Sequence, residues 1–415
     1  MRILVVSQYF WPENFRINDL VTEFCDRGHE VTVLTGSPNY PSGEVFPEFR
    51  SNPGAYAKFG GASVVRVPMF PRGSGGLRLM VNYASFAFGA TVFGAWRLRG
   101  QAFDVIFVFE PSPITVGLPA AFLRYLKGAP LAFWVLDLWP ETLEAIGVVR
   151  SRTFLKAVGH LVTFIYNRCD LILAQSKSFI PQIRRYCGRE KAVEYFPSWS
   201  DAEFDFSTVV PADEVPSADG MFSIMFAGNV GDAQDFPAIL DAAEHLKDDR
   251  GIRWLIVGDG RASEWVRSEV TRRGLEHCFL LLGRYPVERM PSFFRHADAL
   301  LVSLKDEPIF AMTIPGKLQS YLAAGIPVLA MLNGEGAEIV DGAGAGLSCP
   351  AGDGVALAAA VRKMAGMDIE GRQRMGRRGR AVSEQEFDRG ALISRLLSWL
   401  ENLSTVGKRH GEFDR

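Results

Sequence analysis

The sequence has no Cys-x-x-Cys pair, no excess of charge of either sign and no cluster of histidines. Its five cysteines, Cys25, Cys169, Cys187, Cys278 and Cys349, are scattered and odd in number. That excludes a zinc knuckle or a disulfide framework and reads as reduced thiols of a cytosolic protein. A formal net charge of −2 gives no global basic field, so nucleic acid is not an expected partner. Met1 runs directly into the strand-like Arg2–Val6, with no signal-peptide flank expected there. With 48% hydrophobic and 22% charged residues, general disorder is excluded too.

What is present is a chain of 415 residues with strand and helix signals in alternation, long enough for two or three domains. Apolar runs at Arg2–Val6, His29–Leu34, Val64–Val67, Val105–Phe109, Leu131–Leu136 and Leu171–Ala174 are separated by helical stretches. Continuous runs of this kind indicate parallel strands covered on both faces. A Pro-, Asp- and Ser-rich stretch, 201–220, reads as a linker. The alternation restarts with Phe222–Ala227, Arg253–Val257, Phe279–Leu282, Ala299–Val302 and Val328–Ala330. The predicted organisation is an α/β N-terminal domain over 1–200 and a second α/β domain over 221–386. A final helix, 387–405, follows a basic stretch at Arg372–Arg380 and is expected to pack back on the first domain. Two doubly wound, Rossmann-like domains would face a central cleft, where the carboxyl ends of both sheets bind ligands.

Leu79 to Trp96 is eighteen residues without a charge, bracketed by Arg72, Arg78, Arg97 and Arg99. It approaches the length of a membrane span, and a buried helix or one resting on a membrane surface is the preferred reading. A second apolar helix, with Phe154, Leu155, Phe164 and Ile165, is accompanied by Arg150, Arg152, Lys156 and His160. Such faces suit an anionic lipid surface; packed core helices with a solvated basic rim are the alternative.

Chemistry-bearing patterns concentrate in the second half. A strand ends at Ala227 in the turn Gly228-Asn229-Val230-Gly231, and a helix is expected from about Asp235. Glycine permits close backbone approach, and a helix start presents free N–H groups to phosphate. The next unit repeats the pattern at Gly258-Asp259-Gly260. In Thr313-Ile314-Pro315-Gly316-Lys317, proline suits the first helical turn and Lys317 adds a cation beside the N–H groups, a good diphosphate clamp. Gly325 ends that helix, and Asn333-Gly334-Glu335-Gly336 is a further glycine turn. In the first half, Asp137 follows a strand and precedes Leu-Trp-Pro-Glu, a cleft-edge position; a helix N-cap is the competing role. Glu110 and Glu141 are further acidic candidates there.

The order FAGNVG, VGDG, LLGRYP, PGKLQSYLAAGIPV resembles retaining glycosyltransferases of family 4, which have the GT-B fold. SQYFWPENFR, RGHEVTVLTGSPNYPSG and VLDLWPE are similar to WbuB-like bacterial members that build O-antigen, capsule or exopolysaccharide. The resemblance covers essentially the whole chain and rests on the combination of motifs. It implies a nucleotide diphosphate sugar, with UDP as the expected base and a hexose or N-acetylated hexosamine as the sugar. The acceptor would be a glycan or polyprenyl-diphosphate-linked sugar, at the cytoplasmic face of the inner membrane.

On the resemblance, Gly228 and Asn229 approach the diphosphate, Gly258 and Asp259 lie near the base pocket, and Lys317 faces phosphate. Glu307, Thr313, Pro315, Gly316, Ser320, Glu335 and Gly336 complete the expected donor surface. Arg16 would reach the same cleft, with Glu13, Asn14, Asn39, Tyr40, Glu110 and Glu141 on the acceptor side. Asp137 is expected to orient the acceptor hydroxyl or to stabilise positive charge on the sugar. No metal or cofactor is expected: the fold does not need an Asp-x-Asp, and none occurs at a plausible strand end.

Four positions depart from the family pattern. Asn229 and Gln234 stand where many members carry arginine and lysine, and Met312 and Ser320 stand where two glutamates often occur. Asp306, Glu307 or Glu335 would have to take over contacts to the sugar. A nucleotide-sugar 2-epimerase shares the two-domain architecture, but its set of cleft acids and histidine is not found. A binding subunit that has lost catalysis is a second alternative, supported by Met312 and Ser320. Intact Lys317, Arg16 and Asp137 favour the transferase.

Overall fold

The apolar runs form two separate parallel sheets in the computed structural model, which describes residues 1–73, 75–145, 151–200, 209–218 and 220–413. The chain divides into two units, one of Met1–Phe196 with Gly390–Arg415 and one of Pro197–Arg389. Residues 201–208 and 219, within the segment read as a linker, lie outside the described residues, as does Arg150.

The first sheet contains β1 (Arg2–Val6), β2 (Glu30–Thr35), β3 (Lys58–Phe59), β4 (Ala62–Arg66), β5 (Val105–Glu110), β6 (Leu131–Val135), β7 (Leu171–Ala174) and β8 (Ala192–Tyr195). Their order is β3-β4-β2-β1-β5-β6-β7-β8, parallel except for the short β3–β4 pair. The strand order reverses between β1 and β5, and the crevice beyond such a reversal is where open α/β sheets take ligands. β5 and β6 are buried along their whole length, which explains why their sequences are apolar without alternation. The last helix, Arg389–Phe413, returns to this unit: Trp399 meets Phe196, and Arg395 donates to the Tyr195 carbonyl.

The second sheet contains β9 (Phe222–Ala227), β10 (Ile252–Val257), β11 (Phe279–Gly283), β12 (Ala299–Ser303), β13 (Val328–Met331) and β14 (Gly346–Cys349). Its order is β11-β10-β9-β12-β13-β14, with the reversal between β9 and β12. These two strands pair only at Ile224–Ala299 and Met225–Leu300, so they part toward their carboxyl ends. The Tyr321 hydroxyl fills that gap, accepting from the Ala227 N–H at 2.9 Å and donating to the Ala227 carbonyl at 3.1 Å. This pins the helix Gly316–Ala324 across the mouth of the reversal.

Some boundaries differ from the sequence expectation. A short 3₁₀ turn, Asp232–Gln234, precedes the helix expected from Asp235, which begins at Phe236. The stretch Arg372–Arg380 is not a separator but lies inside a helix, Ile369–Glu386, of the second unit. There Gly376 and Gly379 permit close packing: a Cβ on Gly376 would fall 2.0 Å from the Gly325 carbonyl oxygen.

Candidate active site

Three loops meet at the carboxyl ends of β9 and β10 in the second unit. Gly228, with φ +138°, follows β9, and a Cβ there would lie 2.4 Å from Lys317 Cε. Only glycine leaves room for the lysine chain to pass. Gly258, with φ +150°, follows β10, and its Cβ would lie 1.8 Å from the Gly228 carbonyl oxygen. A Cβ on Gly260 would lie 2.3 Å from the Val230 carbonyl oxygen. The closeness expected between glycine and ligand is therefore, at Gly258 and Gly260, closeness between two loops. Asp259 likewise serves its own turn: its carboxylate accepts from the Gly260 N–H at 2.8 Å and from Ser263, which holds its pKa below the usual value.

Lys317 lies in the first turn of Gly316–Ala324, whose N-cap, Pro315, offers no side-chain cap to the free N–H groups. Its Nζ is buried without a hydrogen-bond partner and sits 3.6 Å from the centroid of the Phe226 ring. Burial lowers its pKa to about 7. A buried, unpaired cation beside uncapped helix N–H groups is a site for an anion.

The neighbouring loops are fixed by their own contacts. Asn229 Nδ2 donates to Gln234 Oε1 at 3.3 Å, and Asp306 Oδ1 accepts from Asn333 Nδ2 at 2.8 Å. The Glu307 carbonyl accepts from the Phe310 and Ala311 N–H groups. The Thr313 hydroxyl donates to the Ile309 carbonyl, and the Ser320 hydroxyl reaches the Gly316 carbonyl at 3.5 Å. Glu335 is buried at the start of the helix Glu335–Ala343, and Gly336 beside it lets Pro315 and Leu318 approach. Lys317 and Ser320 thus lie on one helix, Thr313 closes the helical turn before it, and Glu335 opens the next helix.

In the first unit, Glu13 is buried just beyond β1. One carboxylate oxygen accepts from the Asn39 and Tyr40 N–H groups, both at 2.7 Å, and the other from Phe10 N–H at 3.1 Å. Burial raises its pKa against the pull of these bonds. Asn39, also buried, accepts the Arg72 N–H on Oδ1 at 2.7 Å. Glu13 and Asn39, expected to face acceptor, are instead the clamp that shapes the loops around it. Tyr40 keeps an exposed ring, while Asn14 is exposed and Arg16 opens the helix Arg16–Asp26.

Asp137 follows β6. It accepts hydrogen bonds from Trp139 Nε1 at 3.2 Å, from the Thr142 hydroxyl and from Ser112. The following helix starts only at Glu141, so Asp137 is not its N-cap. Burial raises its pKa to about 6 although these bonds favour the charged form. Tyr83 also bonds Ser112, which joins it to the Asp137 neighbourhood. Glu110, read as a group that would face the acceptor, has no exposed surface; burial and the Asp137 charge hold its pKa well above the ordinary value. Glu141, the other acidic candidate, accepts the Tyr186 hydroxyl at 3.1 Å, and its second oxygen is buried without a partner. Glu110 is therefore not a surface group, and Glu141 is half-buried and tied to Tyr186. Sequence reading gave no site role to Tyr9, Arg72, Tyr83 or Ser112, which group near Asp137; Tyr83 was hidden in an apolar helix. Among the described residues, no group of three or more His, Cys, Asp or Glu side chains is arranged to hold a metal ion.

Comparison with known proteins agrees with this geometry. Residues 14–199 match the family model for a glycosyl transferase 4-like domain, and residues 222–366 match the model for glycosyl transferases group 1. The chain belongs to these group 1, family-4-like glycosyltransferases, and its two Rossmann-like units are those of the GT-B fold. WbjE of Pseudomonas aeruginosa, described as a glycosyltransferase, is 25% identical over 82% of this chain and 84% of its own. WcaI of Escherichia coli strain K12, described as a colanic acid biosynthesis glycosyl transferase, is 27% identical over 78% of this chain and 82% of its own. The structure of HepE from Anabaena with UDP-glucose superposes with a TM-score of 0.67 at 16% identity, covering 97% of this chain and 100% of that one.

Proposed function

We propose that this glycosyltransferase moves a hexose or N-acetylated amino sugar from a UDP-sugar to a glycan or polyprenyl-diphosphate-linked acceptor, with retention, in bacterial cell-surface polysaccharide synthesis. The observation that carries the donor assignment is the buried, unpartnered Lys317 Nζ at an uncapped helix start. A departing nucleoside diphosphate gains negative charge, and a preorganised cation with free N–H groups is where such charge is stabilised. Relatives named for polysaccharide synthesis support the pathway class.

In the reaction the bond from the anomeric carbon to the phosphate oxygen breaks and a bond to the acceptor oxygen forms. The acceptor proton passes to the departing phosphate, so no protein nucleophile is required. Asp137 stabilises positive charge on the sugar or orients the acceptor hydroxyl, and Arg16 is assigned a supporting role toward the diphosphate. No metal takes part in this scheme, and activity should survive EDTA. Thermal-shift screening against UDP, GDP, TDP and ADP sugars tests the donor, because a ligand of the folded state raises its stability. Stabilisation by another nucleotide and not by UDP would refute the UDP assignment. Product anomeric configuration by NMR tests retention, and conversion of donor without acceptor would favour an epimerase.

We extend the reading to the cytoplasmic membrane surface. The helical run Gly76–Gly89, Ala90–Gly94 and Ala95–Arg97 is long and apolar enough to cross a membrane, but 39% of its apolar window is buried. Phe86 and Ala90 face the unit's core, while Leu77, Phe88 and Trp96 are 77%, 65% and 60% exposed. This two-sided character favours lying on a membrane over spanning it. The helices Gly117–Lys127 and Arg152–Tyr166, successive neighbours in the packing, add exposed Tyr125 and Phe164. None of these helices contains Asp or Glu, and Arg78, Arg97, Arg152 and Lys156 are exposed, so anionic lipid is the complementary partner. The protein should sediment with phosphatidylcholine vesicles only when phosphatidylglycerol is included; equal recovery in the supernatant would overturn this.

A further inference from the structure

Arg72 is a cation with no ion-pair partner among the described residues, set in a wall of aromatic rings. Its guanidinium lies 5.4 Å from the centroid of the Tyr40 ring and 3.4 Å from the Tyr9 hydroxyl. Tyr9 itself stacks on Phe15, with centroids 5.2 Å apart. The Arg72 charge also acts on Tyr83, whose hydroxyl shares Ser112 with Asp137. Arg72 therefore belongs to the same patch of the first unit as the acid assigned to the reaction.

The segment bearing Arg72 is held from both sides. Asn39 Oδ1 accepts the Arg72 N–H at 2.7 Å, and the Asn39 N–H is fixed by Glu13. Two residues earlier, the Phe70 N–H donates to Ser85 Oγ at 2.9 Å, and the Phe70 carbonyl accepts from Asn82 Nδ2 at 2.6 Å. Three sequence segments, around Glu13, Asn39 and Asn82, thus fix one arginine. The carboxylate built into this clamp makes no ion pair with it: its oxygens accept from the Phe10, Asn39 and Tyr40 N–H groups. The Tyr40 ring and one long bond from Nη1 to the Tyr9 hydroxyl account for the position of the guanidinium but leave the rest of its fork unmatched. An arginine fork, partly desolvated and preorganised, is matched by a phosphate.

We propose that Arg72 receives a phosphate group of the acceptor, while the exposed Tyr40 ring, backed by the buried Tyr9, gives the acceptor sugar a face to stack on. This rests on the transferase reading above and adds the chemical class of acceptor. The chain continues directly into the helix that begins at Gly76 and exposes Leu77, Met80 and Val81. A phosphate carried by a lipid is therefore favoured over free phosphate.

The test uses the full chain with UDP at saturation, so that the Lys317 site is occupied, and calorimetric titration with farnesyl diphosphate, pyrophosphate and farnesol. Arg72→Gln should weaken farnesyl diphosphate binding by about tenfold or more, and Arg72→Lys by less, since it keeps the charge and loses the fork. UDP affinity should be unchanged in both variants, which also reports that they are folded. Farnesyl diphosphate binding to Arg72→Gln within about twofold of the wild type would overturn the proposal. Farnesol binding as tightly as farnesyl diphosphate would overturn it as well. Pyrophosphate binding as tightly as farnesyl diphosphate, and lost in Arg72→Gln, would support the phosphate site and overturn its lipid source. A wild-type protein that binds no UDP-sugar would refute the transferase reading instead, whatever Arg72 does.

Discussion

Replacing Lys317 with methionine should make the ligand-free protein more stable and, at the same time, a poorer binder of UDP. Burial lowers the lysine pKa from 10.5 to about 7 in the folded chain. That depression corresponds to roughly 5 kcal/mol against the charged form, at about 1.4 kcal/mol per tenfold. Between pH 7 and about 10 the unfolded chain holds a proton that the folded chain does not, so wild-type stability rises with pH across this window. Below pH 7 both states are charged and the full penalty applies. Contact with the Phe226 ring offsets part of it, on the order of 1–2 kcal/mol. Urea unfolding at pH 6 should therefore show Lys317→Met to be more stable by about 2–4 kcal/mol, with the difference shrinking toward pH 10. The same variant should bind UDP about 10- to 150-fold more weakly, because a charge-assisted bond to the diphosphate is lost. At pH 8 the wild type should take up close to one proton on binding UDP, visible as a buffer-dependent calorimetric enthalpy. A stability difference between variant and wild type that does not change from pH 6 to pH 9, or UDP binding without proton uptake, would refute the reasoning.

Two further predictions address other parts of the machinery. The Asp137 carboxyl titrates at about 6, above its ordinary value, so its charged form is present above that pH and lost below it. The pH profile of kcat/KM should show an acid limb near pH 6 that disappears in Asp137→Asn along with most of the rate; a limb that survives in the variant would assign it to another group. Gly258→Ala places a methyl 1.8 Å from the Gly228 carbonyl oxygen at a φ of +150°. Urea unfolding should show a loss of about 2–4 kcal/mol, and a loss below 1 kcal/mol would mean that the two loops are not locked together.

The fold was legible because its signal is local. Unbroken apolar runs such as Val105–Glu110 and Leu131–Val135 can only be strands buried on both faces, and they became the centre of the first sheet. Lys317 was legible too, since Pro-Gly-Lys before an apolar run is a helix start with its cation in place. The roles of Glu13, Asn39 and Glu110 were not. A glutamate that accepts three backbone N–H groups looks, in sequence, like one that faces solvent. The difference is made by loops that lie 26 residues apart along the chain. Arg72 was noted only as a flank of an apolar segment, because the residues that position it come from three separate loops. The glycines were read for close approach, and at Gly258 the structure shows a further reason for it, the Gly228 carbonyl oxygen.

The departures from the family pattern acquire a physical meaning once these contacts are known. With Asn229 bonded to Gln234, the first loop of the second unit contributes no cation to its sheet edge. Lys317 is then the cation built into the helix start, and its burial beneath Gly228 keeps it without a counter-ion in the free protein. The same logic bears on the sugar. Met312 and Ser320 give no carboxylate, and Asp306 is already bonded to Asn333. Glu335 is buried at a helix start one loop away, and Gly336 beside it packs against Pro315.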